Sequence, residues 1–437
     1  MTKSLNSNFI FFLFLILSFS NYSQTPVSTN QNAENFNDTG FTNFERKIDK
    51  YYYNQHKIKN LKKKLKPINE KINLNNRFVS IININVEKKK LNIKKLEDSL
   101  SLYEKKIARL VKKSRKRNAL QLQKDTTEIR QLMLSFEKAI SKDNETIKKY
   151  RSQIGVKKKN NSTLLASQKS IQNRINFLNK PEIKQYYSNS KSQFQKYYKD
   201  SIGEFKFAYK KNNYLAFIAD LNIHNIGTHL NYENTPNHNS TKFIKLGSVK
   251  TKLEQKEGKK VLMLTNGGMY TPENNPEGLL IADGKELEPI DLGSSKQMLN
   301  FYMMPNGVFY IDSIKAIIET SKVFLKKYSS NQISPEQATQ SGPMLVINNK
   351  HHPAFNHGSS SKKLRSGVGI MKDGRVIFII SNNSITNFHD FGTIFKDVFG
   401  CQNALFLDGA ISKMYTKKYK RTSLGGNFGP IISVIEK

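Results

Sequence analysis

The chain has 437 residues, a formal charge of +36 and a single cysteine. That length allows two or three domains, each with a core of its own, and the lone Cys401 excludes an intramolecular disulfide. The charge is uneven: residues 41–210 hold 43 Lys and Arg against 15 Asp and Glu, while 211–437 hold 27 against 18. The basic character therefore belongs mainly to the first half, and it calls for an anionic partner.

Lys3 precedes the apolar run Phe9–Leu17, which is too short to span a bilayer comfortably. Ser18 and Ser20 then supply the small residues of a cleavage site, with Ser23 as a second candidate. This is the layout of a secretory signal peptide over 1–23, and the polar sequence behind it argues against a membrane anchor. With no cysteine near the cleavage site, a bacterial lipid anchor is not expected. Export places the protein in the periplasm or cell envelope, or outside the cell. There the polyanions met first are lipid headgroups, lipopolysaccharide and phosphate-containing glycans, rather than nucleic acid.

Residues 24–41 read as a flexible polar linker, and 42–202 as a Lys-rich helical arm. Ile93, Leu96, Leu100, Tyr103, Ile107 and Leu110 alternate by three and four, the a/d seam of a coiled coil. Ile129, Met133, Phe136, Ile140 and Ile147 resume it beyond the polar stretch 112–118, and Leu164, Ile171, Ile175 and Leu178 add a further segment. Pro67, Gly155 and Pro181 punctuate the arm, which predicts three or four helices. Either a folded-back hairpin or a homodimer through the coiled coil would bury the seam. The run KKSRKRN (112–118) reads as a solvated face or loop, and no chemistry is visible in the arm.

The texture changes near residue 205. Short apolar runs at 214–221, 260–265, 278–284, 307–312, 342–348 and 375–381 alternate with Gly, Asn and Asp turns. A helix is signalled at 387–399, leading into a strand at 404–407, and Ser334-Pro335-Glu336 signals a second short helix. The fold class is an α+β C-terminal domain with a mixed sheet and few helices over 203–437, preceded by an all-α basic coiled-coil region.

Three strand ends in this half carry turns that could meet a ligand. Asn266-Gly267-Gly268 follows one strand, Gln340-Ser341-Gly342 leads into another, and Asp408-Gly409 closes the apolar strand 404–407. Paired glycines let backbone N–H groups approach an anion, while Asn266 and Gln340 can donate to hydroxyl or phosphate oxygens. Arg365, opening the glycine-spaced strand Arg365-Ser366-Gly367-Val368-Gly369, can clamp a phosphate or carboxylate with two parallel hydrogen bonds. The equally plain reading of Arg365 is an exposed loop residue closing the stretch before it. His351, His352 and His389 lack metal-ligand spacing, so no protein metal site is expected.

Asn-Gly-Gly-Met-Tyr, Pro-Glu-Gly-Leu, Pro-Asn-Gly-Val-Phe, Thr-Gln-Ser-Gly-Pro-Met-Leu, Arg-Ser-Gly-Val-Gly and Asn-Ala-Leu-Phe-Leu-Asp-Gly occur in this order over about half the chain. The set resembles the phosphodiester glycosidase family, whose animal member removes N-acetylglucosamine from mannose-phosphate tags. The match is closest to the family's exported bacterial branch. The resemblance implies a hydrolase cutting a sugar–phosphate diester at the anomeric carbon. By the same resemblance, Asp408, Arg365 and Asn266 would carry the chemistry. Gly267, Gly268, Gln340, Ser341, Gly342 and Gly409 would bind substrate, a phosphate-containing glycan or other anionic envelope polymer. The apolar strand would be a rigid mount for Asp408.

Two departures from the family pattern bear on this expectation. Ala410 and Ile411 follow Asp-Gly where further glycine is common, and only one carboxylate falls inside a motif where glycosidases commonly use two. Asp220, Glu273 and Glu277 are the candidates for the second, and a divalent cation shared between Asp408 and phosphate would be another solution. Two further readings stand beside the hydrolase: a module that holds a phosphoglycan without cutting it, and a coiled-coil envelope scaffold with a vestigial C-terminal domain.

Overall fold

A computed structural model describes residues 38–113, 119–230, 245–293, 300–409, 412–418 and 424–437. The signal peptide expected at 1–23, most of the KKSRKRN run, and Ala410 and Ile411 lie outside the described residues. So does the expected linker as far as residue 37; its last residues already belong to a helix. The described chain forms two compact units, one of Lys50–Gln185 and one that joins the residues up to Asp49 to Tyr186–Lys437.

Within Lys50–Gln185, helix α1 (Asp38–Lys113) folds back on helix α2 (Ala119–Leu178) as an antiparallel pair. The heptad seam is used inside one chain: Ile82, Val86 and Ile93 of α1 bury against Ile147 of α2, and Ile58 packs with Ile175 and Leu178. Polar layers fix the register along this seam. Asn75 donates to Asn161 (2.9 Å), and Asp143 accepts from Lys89 (2.6 Å) and Asn92 (2.8 Å). Pro67 and Gly155 do not end helices as expected; both lie inside continuous ones. Packing of the apolar face outweighs the local cost of these residues. Pro181 does begin helix α3 (Pro181–Tyr197), at the position where its missing N–H costs nothing.

From Tyr186 onward, α3 belongs to the other unit. Asp397, fully buried, accepts from Tyr187 Oη (2.8 Å) and Lys396 Nζ (2.8 Å), and Lys191 Nζ lies 3.8 Å from the same oxygen. Tyr198 stacks on Phe205 (5.6 Å) and packs on Phe399 (4.8 Å). Replacing Asp397 with Ala takes the shared carboxylate from the buried Lys396 and the part-buried Lys191. It should destabilise this unit by about 3 kcal/mol in denaturant unfolding.

Three sheets build the same unit, and every pairing among the described strands is antiparallel. The largest runs in the order Gly203–Tyr209, Asn212–Ala219, Val376–Ser381, Ser366–Ile370, Asn403–Phe406, Met344–Ile347 and Lys350–His351. A four-stranded sheet holds Val261–Asn266 between Met414–Thr416 and Ile431–Glu436, with His224–His229 at its edge. A five-stranded sheet places Gln337–Ser341 between Leu280–Ala282 and Gly307–Asp312, with Lys285–Glu288 and Lys315–Thr320 outermost.

One core joins the three sheets, with Phe217, Phe378 and Leu405 from the first, Met263 and Ile432 from the second, and Phe309 and Ile318 from the third. Burying each such side chain contributes on the order of 2 kcal/mol. Few helices accompany them, as expected for an α+β domain. The predicted helix at 387–399 is an α-helix over Phe388–Thr393 that continues as a π-helical turn over Ile394–Val398. Asn387 caps its start by accepting from Asp390 N (2.8 Å).

The helix expected from Ser334-Pro335-Glu336 is absent. Glu336 N donates to Ile311 O (2.9 Å), so the segment feeds directly into the strand Gln337–Ser341. A helix forms instead at Ser321–Ser329, where Phe324 is buried against Val308 and Tyr310 of the five-stranded sheet.

Candidate active site

The strand Asn403–Phe406 pairs with Ser366–Ile370, Gly367 opposite Phe406. Ala404, Leu405, Phe406 and Leu407 are fully buried, so the strand is held rigidly and delivers half-buried Asp408 at its end. Ser366 holds the main chain there. Its Oγ accepts from Asp408 N (3.1 Å) and donates to Asp408 O, its own N–H donates to Asp408 O (3.2 Å), and its O accepts from Leu407 N (3.0 Å). Asp408 is thus positioned through its backbone.

A cleft of about 610 Å³ opens where these strands end. Asp408, Gly409 and Arg365 line it together with Glu277, Tyr270 and Lys363, while Met269, Leu364 and Ile385 supply apolar wall and Asn300 a polar one. Gly409 has to be glycine, because a Cβ would sit 2.9 Å from Leu364 O and from the Phe406 ring.

Arg365 is only 2% exposed. Its guanidinium lies over the Phe388 ring at 3.7 Å and beside Phe406 at 5.3 Å. Nε donates to Thr386 O (3.3 Å) and Nη2 to Ser361 O (3.5 Å). Among the described residues no carboxylate lies within ion-pair distance of it. Burial lowers its pKa to about 10, so it remains a cation at neutral pH. A buried guanidinium on a cleft wall with donors to spare can receive an anionic group.

Of the three carboxylates that sequence alone could not choose among, Glu277 is the one that lines the cleft with Asp408. Burial pushes its pKa up, and the nearby Asp291 and Asp408 carboxylates raise it further, so it holds its proton to higher pH than an ordinary glutamate. The other two candidates sit elsewhere: Asp220 accepts from Asn222 in a turn (2.9 Å), and Glu273 is a surface residue beside Thr271. Tyr270 feels the same surroundings; burial and then Asp408 push its phenol up to about 12, and it donates to Asn427 O (2.9 Å).

The remaining residues predicted for the site build the frame behind the cleft. Asn266 is fully buried, donates to Ser366 Oγ (3.0 Å) and accepts from Lys413 N (3.1 Å), so it braces the serine that holds Asp408. The N–H groups of Gly267 and Gly268, expected to face an anion, are taken by Pro430 O (2.7 Å) and Thr339 Oγ1 (3.1 Å). A Cβ on Gly268 would lie 2.2 Å from Gln340 O, so close packing is the reason for that glycine.

Gln340, expected to meet substrate, has its amide saturated. It accepts from Leu279 N (3.0 Å) and Asp291 N (2.9 Å) and donates to Asp291 O (2.6 Å) and Ser321 Oγ (3.0 Å). Through these bonds it positions Asp291, one of the carboxylates acting on Glu277. Ser341 donates to Leu407 O (2.7 Å), and a Cβ on Gly342 would meet Phe301 O at 2.7 Å. Among the described residues, no group of three or more His, Cys, Asp or Glu side chains is arranged to hold a metal ion.

Ser366 is the residue the motifs passed over, although it stands inside one of them. Ser366→Ala should leave the Asn266 amide and the Asp408 N–H without their partner. Unfolding should show a loss of about 2 kcal/mol, with a fall in any turnover that depends on Asp408.

The phosphodiester glycosidase family model matches residues 259–429, a span that contains Glu277, Arg365 and Asp408. Residues 259–429 are thus similar to a phosphodiester glycosidase domain. The chain is also 38% identical over 157 residues to the uncharacterized protein YigE of Escherichia coli strain K12, a match covering 36% of this chain and 59% of YigE. It thus spans about three fifths of that relative's length.

Among solved structures, the catalytic domain of zebrafish N-acetylglucosamine-1-phosphodiester alpha-N-acetylglucosaminidase, auto-inhibited by its pro-peptide, overlays with a TM-score of 0.35 at 14% identity. That overlay covers 54% of this chain and 83% of the zebrafish one. A hypothetical protein from Synechocystis gives 0.33 at 12% identity, over 54% and 61%. The span matched by the family model leaves out helices α1 to α3 and the strands before residue 259.

Proposed function

We propose that the phosphodiester glycosidase-like domain hydrolyses a glycosyl-1-phosphodiester within a phosphate-containing glycan. The observation that carries this reading is the buried Arg365 guanidinium, without a described carboxylate partner, on the wall of the cleft that also holds Asp408 and Glu277. Arg365, with Lys363 at the mouth, receives the phosphate. Asp408 faces the anomeric carbon and takes a proton from the attacking water. Glu277, which keeps its proton unusually long, gives it to the departing phosphate oxygen.

The C1–O bond breaks with its electron pair going to the phosphate, and water oxygen forms the new bond to C1. The products are a free sugar and a phosphomonoester. A phosphate leaves readily, so the demand is for charge stabilisation more than for a strong acid. Tyr270, Met269 and Ile385 offer apolar surface for a sugar face.

The leader-like pattern at 1–23 supports export to the periplasm, the cell envelope or the medium, where such glycans occur. The test is incubation of the purified full chain with a panel of sugar-1-phosphodiesters, with and without divalent cation. Release of free sugar is the expected result. Tight glycan binding by the folded protein with no product under any condition would overturn the hydrolase in favour of a binding module. Neither binding nor turnover would favour a scaffold with a vestigial domain.

A further inference from the structure

Helix α1 has a second apolar seam that the hairpin does not use. Leu74, Ile81, Ile84, Leu91 and Leu102 fall on one line of alternating three- and four-residue steps, and all are between 54% and 65% exposed. Each stands two residues beyond a position of the line that carries the buried Ile72, Ile82 and Ile93, about 200° round the helix. The stripe is therefore the outer face of α1, directly opposite the face packed on α2. Arg77, Lys88, Lys95 and a single acid, Asp98, occupy intervening places on the same line and are exposed. The exposed apolar residues of α2, among them Leu132, Leu134, Val156 and Leu165, fall on no common line.

Charge decides what can cover this face. Residues 50–185 hold 36 Lys and Arg against 11 Asp and Glu, so a second copy would bring an equally positive body to the stripe. A soluble polyanion would satisfy the charge but gain nothing from a row of leucine and isoleucine. A surface of anionic lipid satisfies both: apolar side chains enter the acyl boundary while the lysine and arginine stems reach up to the headgroups. Among the described residues no helix is long and apolar enough to cross a membrane.

We propose that the outer face of α1, from Leu74 to Leu102, is a docking face for an anionic lipid bilayer, on which the helix lies in the plane of the interface. The inference stands apart from the hydrolase reading, because none of its residues belongs to the cleft.

The chain has no tryptophan, so Ile84→Trp in the full-length protein gives a single reporter on the stripe. Vesicles of phosphatidylglycerol should shift its emission to the blue, while phosphatidylcholine vesicles and a soluble polyphosphate should not. The combined variant Leu74→Ser, Ile81→Ser, Ile84→Ser and Leu91→Ser should keep its helicity, keep its hydrolytic rate and sediment with phosphatidylglycerol vesicles about a hundredfold more weakly.

An unshifted tryptophan in the presence of bound phosphatidylglycerol vesicles would overturn the proposal. Undiminished sedimentation of the serine variant would do the same, leaving charge alone as the cause. A wild-type dimer that the serine substitutions dissociate would assign the face to a second copy instead. Should the serine variant lose helicity, the tryptophan shift decides by itself.

Discussion

Asp408→Asn is expected to lower turnover by about a thousandfold or more, since it removes the charge that faces the reacting carbon in the transition state. The substitution is a clean one because the fold grips this residue by its main chain. Ser366 bonds the N–H and the carbonyl of Asp408, and the buried run Ala404–Leu407 fixes the strand behind it. An asparagine of the same shape leaves all of that in place, so the melting temperature should stay within a few degrees of wild type. The neighbours give a second readout. With the charge gone, the pKa values of Glu277 and Tyr270 should both fall, because Asp408 contributes to the rise of each. Side-chain titration by NMR would show it. An unchanged rate in the variant would remove Asp408 from the mechanism.

Glu277→Gln is the second large effect, about a hundredfold on turnover by loss of the proton donor. Its pH signature separates a chemical role from a structural one. Burial and the two nearby carboxylates raise the Glu277 pKa, so the protonated, active form persists below that raised value. Activity should decline as pH rises through it, which makes Glu277 the alkaline limb of the profile. In the glutamine variant the alkaline limb should vanish. Asp291→Asn removes one of the charges that raise the pKa, so there the limb should move to lower pH with the limb still present. A rate profile with the same alkaline limb in Glu277→Gln would show that another group titrates.

Much of the candidate site was legible in the sequence because motif order marks strand ends, and strand ends are where a sheet exposes side chains. Asp408, Gly409 and Arg365 were found that way, and all line the cleft. Asn266 and Gln340 stand at strand ends too, and a polar residue between apolar ones looks the same whether it faces a ligand or the protein. What separates the cases is hydrogen-bond saturation. The Gln340 amide has no capacity left, and the two glycine N–H groups at 267 and 268 are already given to Pro430 and Thr339. Glu277 could not be told from Glu273 or Asp220, because the choice rests on which of them shares a cavity with Asp408. That is a property of three-dimensional distance.

The fold shows the same division. Periodic signals carried: the hairpin seam and the apolar strands appear within a few residues of where the pattern places them. Local terminators carried less, because Pro67 and Gly155 are overruled by the length of seam packed on either side. The missed helix Ser321–Ser329 hides its amphipathic pattern behind Lys322, Lys326 and Lys327, with Phe324 the one large apolar side chain buried on its inner face. Ser334-Pro335-Glu336 had the composition of a helix start, yet a strand partner in Ile311 claimed its backbone first.

The most direct test of the central claim is where the bond breaks. A sugar-1-phosphodiester should be hydrolysed by the full chain in water enriched in oxygen-18, and the label located by mass spectrometry. Attack at the anomeric carbon puts the heavy oxygen on the sugar hydroxyl and none on the phosphomonoester, and this is the predicted outcome. Label in the phosphate would mean that water attacks phosphorus, and the assignment of Asp408 to the anomeric carbon would be wrong.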